Sequence, residues 1–114
     1  MKYIKIQNNN IEILETDNFS NVIKNEFNDT NYDSLDYLFD ENLDIRIFTK
    51  AGSDFLDLDN SLYYKRDGKL QYIFKGTILL AKNGINKWHS LSNKDIKIIT
   101  NRILKIDNSF VINY

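Results

Sequence analysis

Hydrophobic and polar residues alternate in two short segments at the start of the chain, residues 2–7 and 11–15. Alternation is typical of half-buried strands, and the three asparagines between the segments favour a turn, so we expect a β-hairpin. Apolar residues then recur at the spacing of one helix face: Phe19, Val22, Ile23 and Phe27. Asp17 or Asn18 precedes them and is suited to cap this helix.

The alternation returns in residues 35–40 and 43–48, around a turn at Glu41 and Asn42, and predicts a second hairpin. One face of this hairpin is wholly apolar and is expected in the core. The other face mixes acidic and apolar side chains, as docking surfaces do. That mixed face consists of Asp36, Leu38, Asp40, Asp44, Arg46 and Phe48.

In the middle of the chain, the residue pattern predicts a short strand over residues 55–58 and a single helical turn over residues 60–65. A tight reversal is expected next, at Asp67-Gly68. Residues 70–82 are apolar on both faces, so we expect one long strand in the centre of a sheet. Both faces are predicted to be buried: one holds Leu70, Tyr72, Phe74, Ile78 and Leu80, and the other holds Ile73, Leu79 and Ala81. Gly76 interrupts the strand and indicates a bulge or a close backbone approach.

The last segment predicts a helix and a final strand. Ser92 and Asp95 have the spacing of a capping box, and Ile96, Ile99 and Ile103 then form a buried stripe. Residues 109–114 alternate again and are expected to add an edge strand. The chain therefore predicts one α+β domain over residues 1–114, a mainly antiparallel sheet of five to seven strands with two helices packed on it.

The two halves of the chain carry opposite charge. Residues 1–60 contain 13 acidic and 5 basic side chains, whereas residues 61–114 contain 3 acidic and 10 basic ones. Such asymmetry concerns partners and encounter rates rather than the fold. Acidic residues concentrate between Asp29 and Asp59, where a carboxylate-rich face can imitate a phosphate backbone or sit in a basic groove.

The amino-acid composition excludes several kinds of catalytic and metal site. The chain has no cysteine, which excludes disulfides, thiolate nucleophiles and sulfur-ligated metal sites, and its one histidine is His89. No apolar run is long enough to span a bilayer or to form a signal peptide, so we expect a cytoplasmic protein. We expect no metal site and no cofactor, and the sequence pI of about 5.8 argues against direct nucleic-acid binding.

Eight positions in the second half of the chain have the spacing of a known family: Asn60, Asp67, Gly68, Ile73, Gly76, Thr77, Leu91 and Ser92. The pattern is an Asn, an Asp-Gly turn, Ile-x-x-Gly-Thr before an apolar strand, and Ser-Leu-Ser before a helix. It resembles the domain-of-unknown-function family thirty-eight forty-six, whose short members occur in phages, plasmids and other mobile elements. The resemblance implies a mobile-element setting and implies no activity.

The leading hypothesis is a phage or mobile-element anti-defence protein, of the anti-CRISPR or antirestriction type, which acts by stoichiometric binding. Its partner is expected to be a host defence enzyme that handles nucleic acid in a basic groove. The predicted partner-binding residues are acidic, with Leu38 and Phe48 as apolar anchors. The acidic members are Asp33, Asp36, Asp40, Glu41 and Asp44.

Two other hypotheses belong to different classes. The first is a small-molecule binder that sequesters a nucleotide immune signal by charge and aromatic stacking. Its predicted pocket consists of Asn60, Tyr63, Tyr64, Lys65 and Trp88. The second is a weak hydrolase built on Asp57, Asp59 and His89, which lacks an evident nucleophile with an oriented base.

Overall fold

The computed structural model describes residues 1–7, 9–27, 32–40, 43–51, 61–84, 87–106 and 109–113; within 32–40, only the Tyr32 and Ser34 side chains are described. Ten strands and two helices lie in these ranges. Their order is β1 (Lys2–Gln7), β2 (Asn10–Glu15), α1 (Phe19–Phe27), β3 (Tyr32–Asp40), β4 (Leu43–Lys50), β5 (Ser61–Arg66), β6 (Lys69–Lys75), β7 (Ile78–Asn83), β8 (Trp88–His89), α2 (Asn93–Arg102), β9 (Ile103–Ile106) and β10 (Ser109–Asn113).

The strands form two sheets. The larger sheet has the order β2-β1-β7-β4-β3, is antiparallel throughout, and carries the short β8 on the end of β7. The smaller sheet has the order β6-β5-β10-β9 and is mixed, because β5 and β10 run parallel. The predicted α+β class with two helices is confirmed, but the strands divide between two sheets where the sequence predicted one.

The larger sheet is buried on both faces. A first core lies between this sheet, the smaller sheet and α2, and it includes Ile4, Ile45, Leu80, Phe74, Ile99 and Phe110. A second core lies on the opposite face beneath α1, and it includes Tyr3, Phe19, Ile23, Phe27, Phe48, Leu79 and Ala81. The four consecutive buried residues at the start of β7 alternate between these cores, which confirms the prediction of a doubly buried central strand there.

The long strand predicted over residues 70–82 is two strands in different sheets. Gly76, with φ of 79°, lies at the break, and the chain passes there from β6 in the smaller sheet to β7 in the larger one. The hydroxyl of Thr49 on β4 donates to the carbonyl of Lys75 at 3.0 Å beside this crossover. Because β6 is an outer strand, Leu70 and Tyr72 are 48% and 47% exposed, so the prediction that they face the core is wrong.

Two further elements differ from the predictions. The helical turn expected over residues 60–65 is strand β5, which pairs with β6 around the confirmed Asp67-Gly68 reversal. The strand expected at an edge over residues 109–114 is β10, which is interior because β5 and β9 pair on its two sides. The strand predicted over residues 55–58 lies outside the described residues.

Candidate functional site

A cavity of about 570 Å³ opens at the N-terminal end of α1, on the second-core face of the larger sheet. Helix α1 covers this face with Phe19, Ile23 and Phe27, and the cavity lies where the helix begins. Residues from four separate parts of the chain line it. They include Asp17 and Ser20 at the start of α1, Arg46 on β4, Asn83 at the end of β7, and Lys87 and Trp88.

The start of α1 is fixed by capping. The Asn18 side chain accepts a hydrogen bond from the backbone N–H of Asn21 at 3.2 Å, and the hydroxyl of Thr16 accepts one from the N–H of Asn18 at 3.1 Å. Of the two caps that the sequence allowed, Asn18 is therefore the one that forms. The first turn of α1 contains no acidic residue, so the positive end of the helix dipole is not neutralised within the helix.

Trp88 forms the aromatic wall of the cavity and is held from two sides. Its ring meets Phe19 and Phe48 edge-on, with centroids 5.3 Å and 5.4 Å away. The guanidinium carbon of Arg46 lies over the same ring, 5.8 Å from its centroid, within the range of a cation–π interaction. The half-buried indole therefore links the second core to a cation at the cavity.

The loop before Trp88 makes a close backbone approach. A Cβ atom placed on Gly84 would lie 2.7 Å from the carbonyl oxygen of Lys87 and 2.2 Å from the His89 ring. Contacts this short are not tolerated without movement, so any side chain larger than hydrogen would displace the segment that carries Lys87 and Trp88. Gly84 thus defines one rim of the cavity.

The segment after Trp88 is anchored to both the sheet and α2. The Ser90 hydroxyl accepts from the N–H of Lys2 at 2.8 Å, and Leu91 donates to the carbonyl of Lys2 at 3.1 Å. Ser92 and Asp95 then form the predicted capping box of α2, which is confirmed. These bonds fix where β8 runs and hence where Trp88 lies.

Asp95 also forms an ion pair with Lys82 at 2.9 Å, joining α2 to β7. Burial alone would raise the pKa of Asp95, but the hydrogen bonds from the Ser92 backbone and from Lys82 stabilise the charged form and bring the pKa below its ordinary value. Asp95 is thus ionised and paired at neutral pH.

We expect Asp95→Ala to lower the free energy of unfolding by about 2 kcal/mol, because it removes the Asp95 half of the capping box and the charged hydrogen bond with Lys82. A depressed native pKa stabilises the fold fully above the unfolded pKa of about 3.9, and this contribution disappears as the pH falls through the native value. Urea unfolding of both proteins at pH 7 and at pH 3 checks this. The difference should shrink at pH 3, and a difference that grows on acidification would contradict the assigned ion pair. Lys97→Ala, an exposed change on the same helix, is the control.

The acidic hairpin predicted from the sequence forms as β3 and β4, with β3 at the outer edge of the larger sheet. Asp44 is exposed on β4, as predicted. In the backbone register, Asp36 pairs with Arg46 and Leu38 with Asp44. A register shift between Leu38 and Asp40 places Asp40 opposite the buried Leu43, so the strict alternation that the sequence predicted for Asp36, Asp40 and Asp44 is interrupted. Asp33 pairs with Thr49, and Glu41 in the turn lies outside the described residues.

Phe48 is not the exposed anchor that the alternation predicted. It is 1% exposed and packs in the second core, against Phe19 and Trp88. The reason is that α1 covers the end of β4 near Phe48, whereas the beginning of the same face, around Asp44, remains open to solvent. The prediction for Phe48 is wrong, and its role is structural.

The pocket predicted for a nucleotide is not assembled as one site. Tyr64 packs against the first core and Trp88 against the second, so the two aromatic residues lie on opposite faces of the larger sheet. Tyr63 and Lys65 flank Tyr64 on β5, away from Trp88, and Asn60 lies outside the described residues. Of the predicted set, only Trp88 lines the cavity.

Sequence reasoning missed the partners of Trp88 in the cavity. Arg46 carried a usable signal, because it is the only basic residue between Lys24 and Lys50. No local sequence pattern distinguishes Lys87, Asn83 or Asp17 from other surface polar residues, so their place in the cavity could not be predicted. His89 is exposed, and Asp57 and Asp59 lie outside the described residues.

Comparison with protein-family models, with curated proteins and with solved structures found no match. The resemblance to the domain-of-unknown-function family therefore stays a prediction. Within the described part of the chain, neither helix has the length and apolar character needed to cross a membrane. The described residues also contain no cluster of three or more acidic or histidine side chains that could hold a metal ion.

Proposed function

We propose that this protein is a stoichiometric inhibitor that presents the β3–β4 hairpin to the basic groove of a nucleic-acid-handling enzyme. The partner belongs to host defence, of the anti-CRISPR or antirestriction target type, and the setting is a phage or mobile element acting in the bacterial cytoplasm. The observation that carries this proposal is the coincidence of the most acidic segment of the chain with an outer strand of the larger sheet.

The charge of this segment supports the proposal. Between Lys24 and Arg46 the chain has seven acidic residues and no basic one. Five of the seven belong to the hairpin and its turn, and Asp44 is exposed on β4. A surface with one sign of charge raises the rate of encounter with an oppositely charged groove and disfavours partners of like charge.

The edge position of β3 adds a second means of binding. Its inner side pairs with β4, and no described strand pairs with its outer side. An outer strand offers backbone N–H and C=O groups to which a partner strand can add. Acidic side chains along such an edge discourage pairing with another copy of the same edge and favour a basic partner.

Most basic residues lie on other elements, which keeps the hairpin acidic. Strands β5 and β6 carry Lys65, Arg66, Lys69 and Lys75, and α2 carries Lys94, Lys97 and Arg102. The hairpin differs in charge from these basic elements, which supports its assignment as the acidic docking surface.

Affinity capture tests this proposal. The tagged protein is incubated at low salt with nuclease-treated bacterial lysate, so that nucleic acid cannot bridge, and captured proteins are identified by mass spectrometry. We expect a nucleic-acid-handling enzyme that elutes as salt rises, because exposed charges are screened over about 8 Å at physiological ionic strength. The variant that tests the hairpin is Asp40→Lys with Asp44→Lys, which should lose this enzyme. The proposal is overturned if this variant captures the same enzyme equally well.

A further inference from the structure

The cavity at the start of α1 is lined by one residue of the hairpin, Arg46, and otherwise by residues outside it, and the proposed partner binding does not account for it. Its volume of about 570 Å³ falls within the range of small-molecule sites, roughly 300–1,000 Å³. Its walls combine an aromatic ring with charged and amide side chains, and such polar groups fix the orientation of a ligand in a pocket. Trp88, Arg46 and Asn83 come from β8, β4 and β7, so the site is built on strands of the larger sheet rather than on one loop.

Two cationic side chains line the cavity. Arg46 and Lys87 line it, and Asp17 is the only carboxylate among its described lining residues. The guanidinium group presents a planar set of N–H donors that matches phosphate oxygens, and an ammonium group adds a point charge. The positive end of the α1 dipole adds to the same potential.

The key cation is held in place. Arg46 lies over the Trp88 ring, and that ring is wedged by Phe19 and Phe48 of the second core. Because the contact with Trp88 restricts the conformations of the Arg46 side chain, less conformational entropy is lost on binding. The same geometry couples ligand binding at Arg46 to the emission of Trp88, the only tryptophan in the chain.

We propose that this cavity binds a phosphorylated small molecule of mononucleotide size, with its phosphate at Arg46 and Lys87 and its remaining part along Trp88 and Asn83. Two cations suit the double charge of a phosphate monoester, and the volume beyond them accommodates a nucleoside. This site uses Trp88 but none of the residues around Tyr64, and Arg46 is its one residue from the hairpin.

Equilibrium dialysis with labelled AMP tests the proposal, with Trp88 emission as the readout of location. AMP should bind saturably and change the emission, inorganic phosphate should bind more weakly, and adenosine should show no saturable binding. Arg46→Gln and Lys87→Gln should each weaken AMP binding by about tenfold, because each removes a charged hydrogen bond. Lys97→Gln on α2, outside the cavity, removes the same charge and should leave affinity unchanged.

Several results would overturn the proposal. These are no saturable AMP binding up to about 5 mM, adenosine or inorganic phosphate binding as tightly as AMP, or an equal loss in Lys97→Gln. Thermal unfolding of each variant, measured in parallel, separates lost affinity from lost fold. Affinity capture with Lys87→Gln distinguishes this proposal from the inhibitor proposal, since Lys87 lies outside the hairpin and this variant should retain the partner whatever the cavity binds.

Discussion

Phe48→Ala is expected to lower the free energy of unfolding by about 3–5 kcal/mol, the largest stability effect that we predict for one residue. The side chain is 1% exposed, and its ring lies within 5.8 Å of Phe19 and 5.5 Å of Tyr32, measured between centroids. Truncation leaves a cavity beneath α1 that the surrounding strands cannot close. The van der Waals contacts of the ring are then lost in addition to the free energy of transferring the ring out of water. The measurement is urea unfolding followed by circular dichroism, with Trp88 emission as a second probe.

Leu70→Ala is the matched control for this prediction. Hydrophobic alternation alone ranks Leu70 as buried and Phe48 as exposed, whereas the structure ranks them in the opposite order. Leu70 is 48% exposed on an outer strand, so its loss should change stability by about 0.5 kcal/mol or less. If Leu70→Ala proves more destabilising than Phe48→Ala, the placement of β6 and of the second core is incorrect.

The second large effect concerns the hairpin. We expect Asp40→Lys with Asp44→Lys to weaken association with the captured enzyme by about 100-fold or more, mainly through a slower association rate. Reversal turns electrostatic attraction toward a basic groove into repulsion. Asp44→Lys alone should leave the melting temperature near that of the unchanged protein, because Asp44 is exposed on its strand, and thermal unfolding of the double variant separates lost binding from lost fold. Surface plasmon resonance at two salt concentrations measures both rate constants.

Glu12→Lys with Glu15→Lys provides the matched variant. It makes the same change in net charge on exposed positions of β2, at the opposite edge of the larger sheet. This variant should retain most of the association rate. An equal loss in both variants would mean that the partner senses net charge only, and unchanged binding in both would mean that the acidic edge serves only to prevent aggregation.

Local signals predicted the local features. The Ser92–Asp95 capping box, the Asn18 cap and the Asp67-Gly68 turn each depend on neighbours within four residues, and each forms as expected. The positive φ angles of Asp67 and Gly68, 52° and 77°, are those that a two-residue hairpin turn requires. Such features are determined by short-range hydrogen bonds and sterics, so no tertiary information is needed to find them.

The division into two sheets has no local signal. The same apolar run is expected from one strand buried on two sides and from two consecutive strands in different sheets. Gly76 indicates an interruption, but a glycine alone does not distinguish a bulge from a crossover between sheets. Pairing of β10 with β5 is parallel and joins segments more than 40 residues apart in the chain. The burial of Phe48 likewise depends on where α1 stops covering β4, a property of packing rather than of alternation.

The cavity could not have been located from spacing. Arg46, Lys87 and Trp88 meet because β4, β7 and β8 are neighbours in the larger sheet, and Asp17 joins them because α1 begins beside Met1. The sequence analysis grouped Trp88 with Tyr63 and Tyr64 in one predicted pocket. In the structure Trp88 lies instead beside Arg46 in the cavity, and Tyr64 packs against the other core. Charge concentration on the hairpin, by contrast, was readable directly from the sequence.

Titration of the captured enzyme's nucleic-acid cleavage with increasing amounts of this protein tests the central claim most directly. Stoichiometric binding through the hairpin predicts complete inhibition at about one molecule per enzyme active site, with activity restored by high salt or competing nucleic acid. The Asp40→Lys, Asp44→Lys variant should leave cleavage unaffected at the same ratio. Complete inactivation at a small fraction of one equivalent, persisting after this protein is removed, would contradict the claim and indicate an enzyme instead.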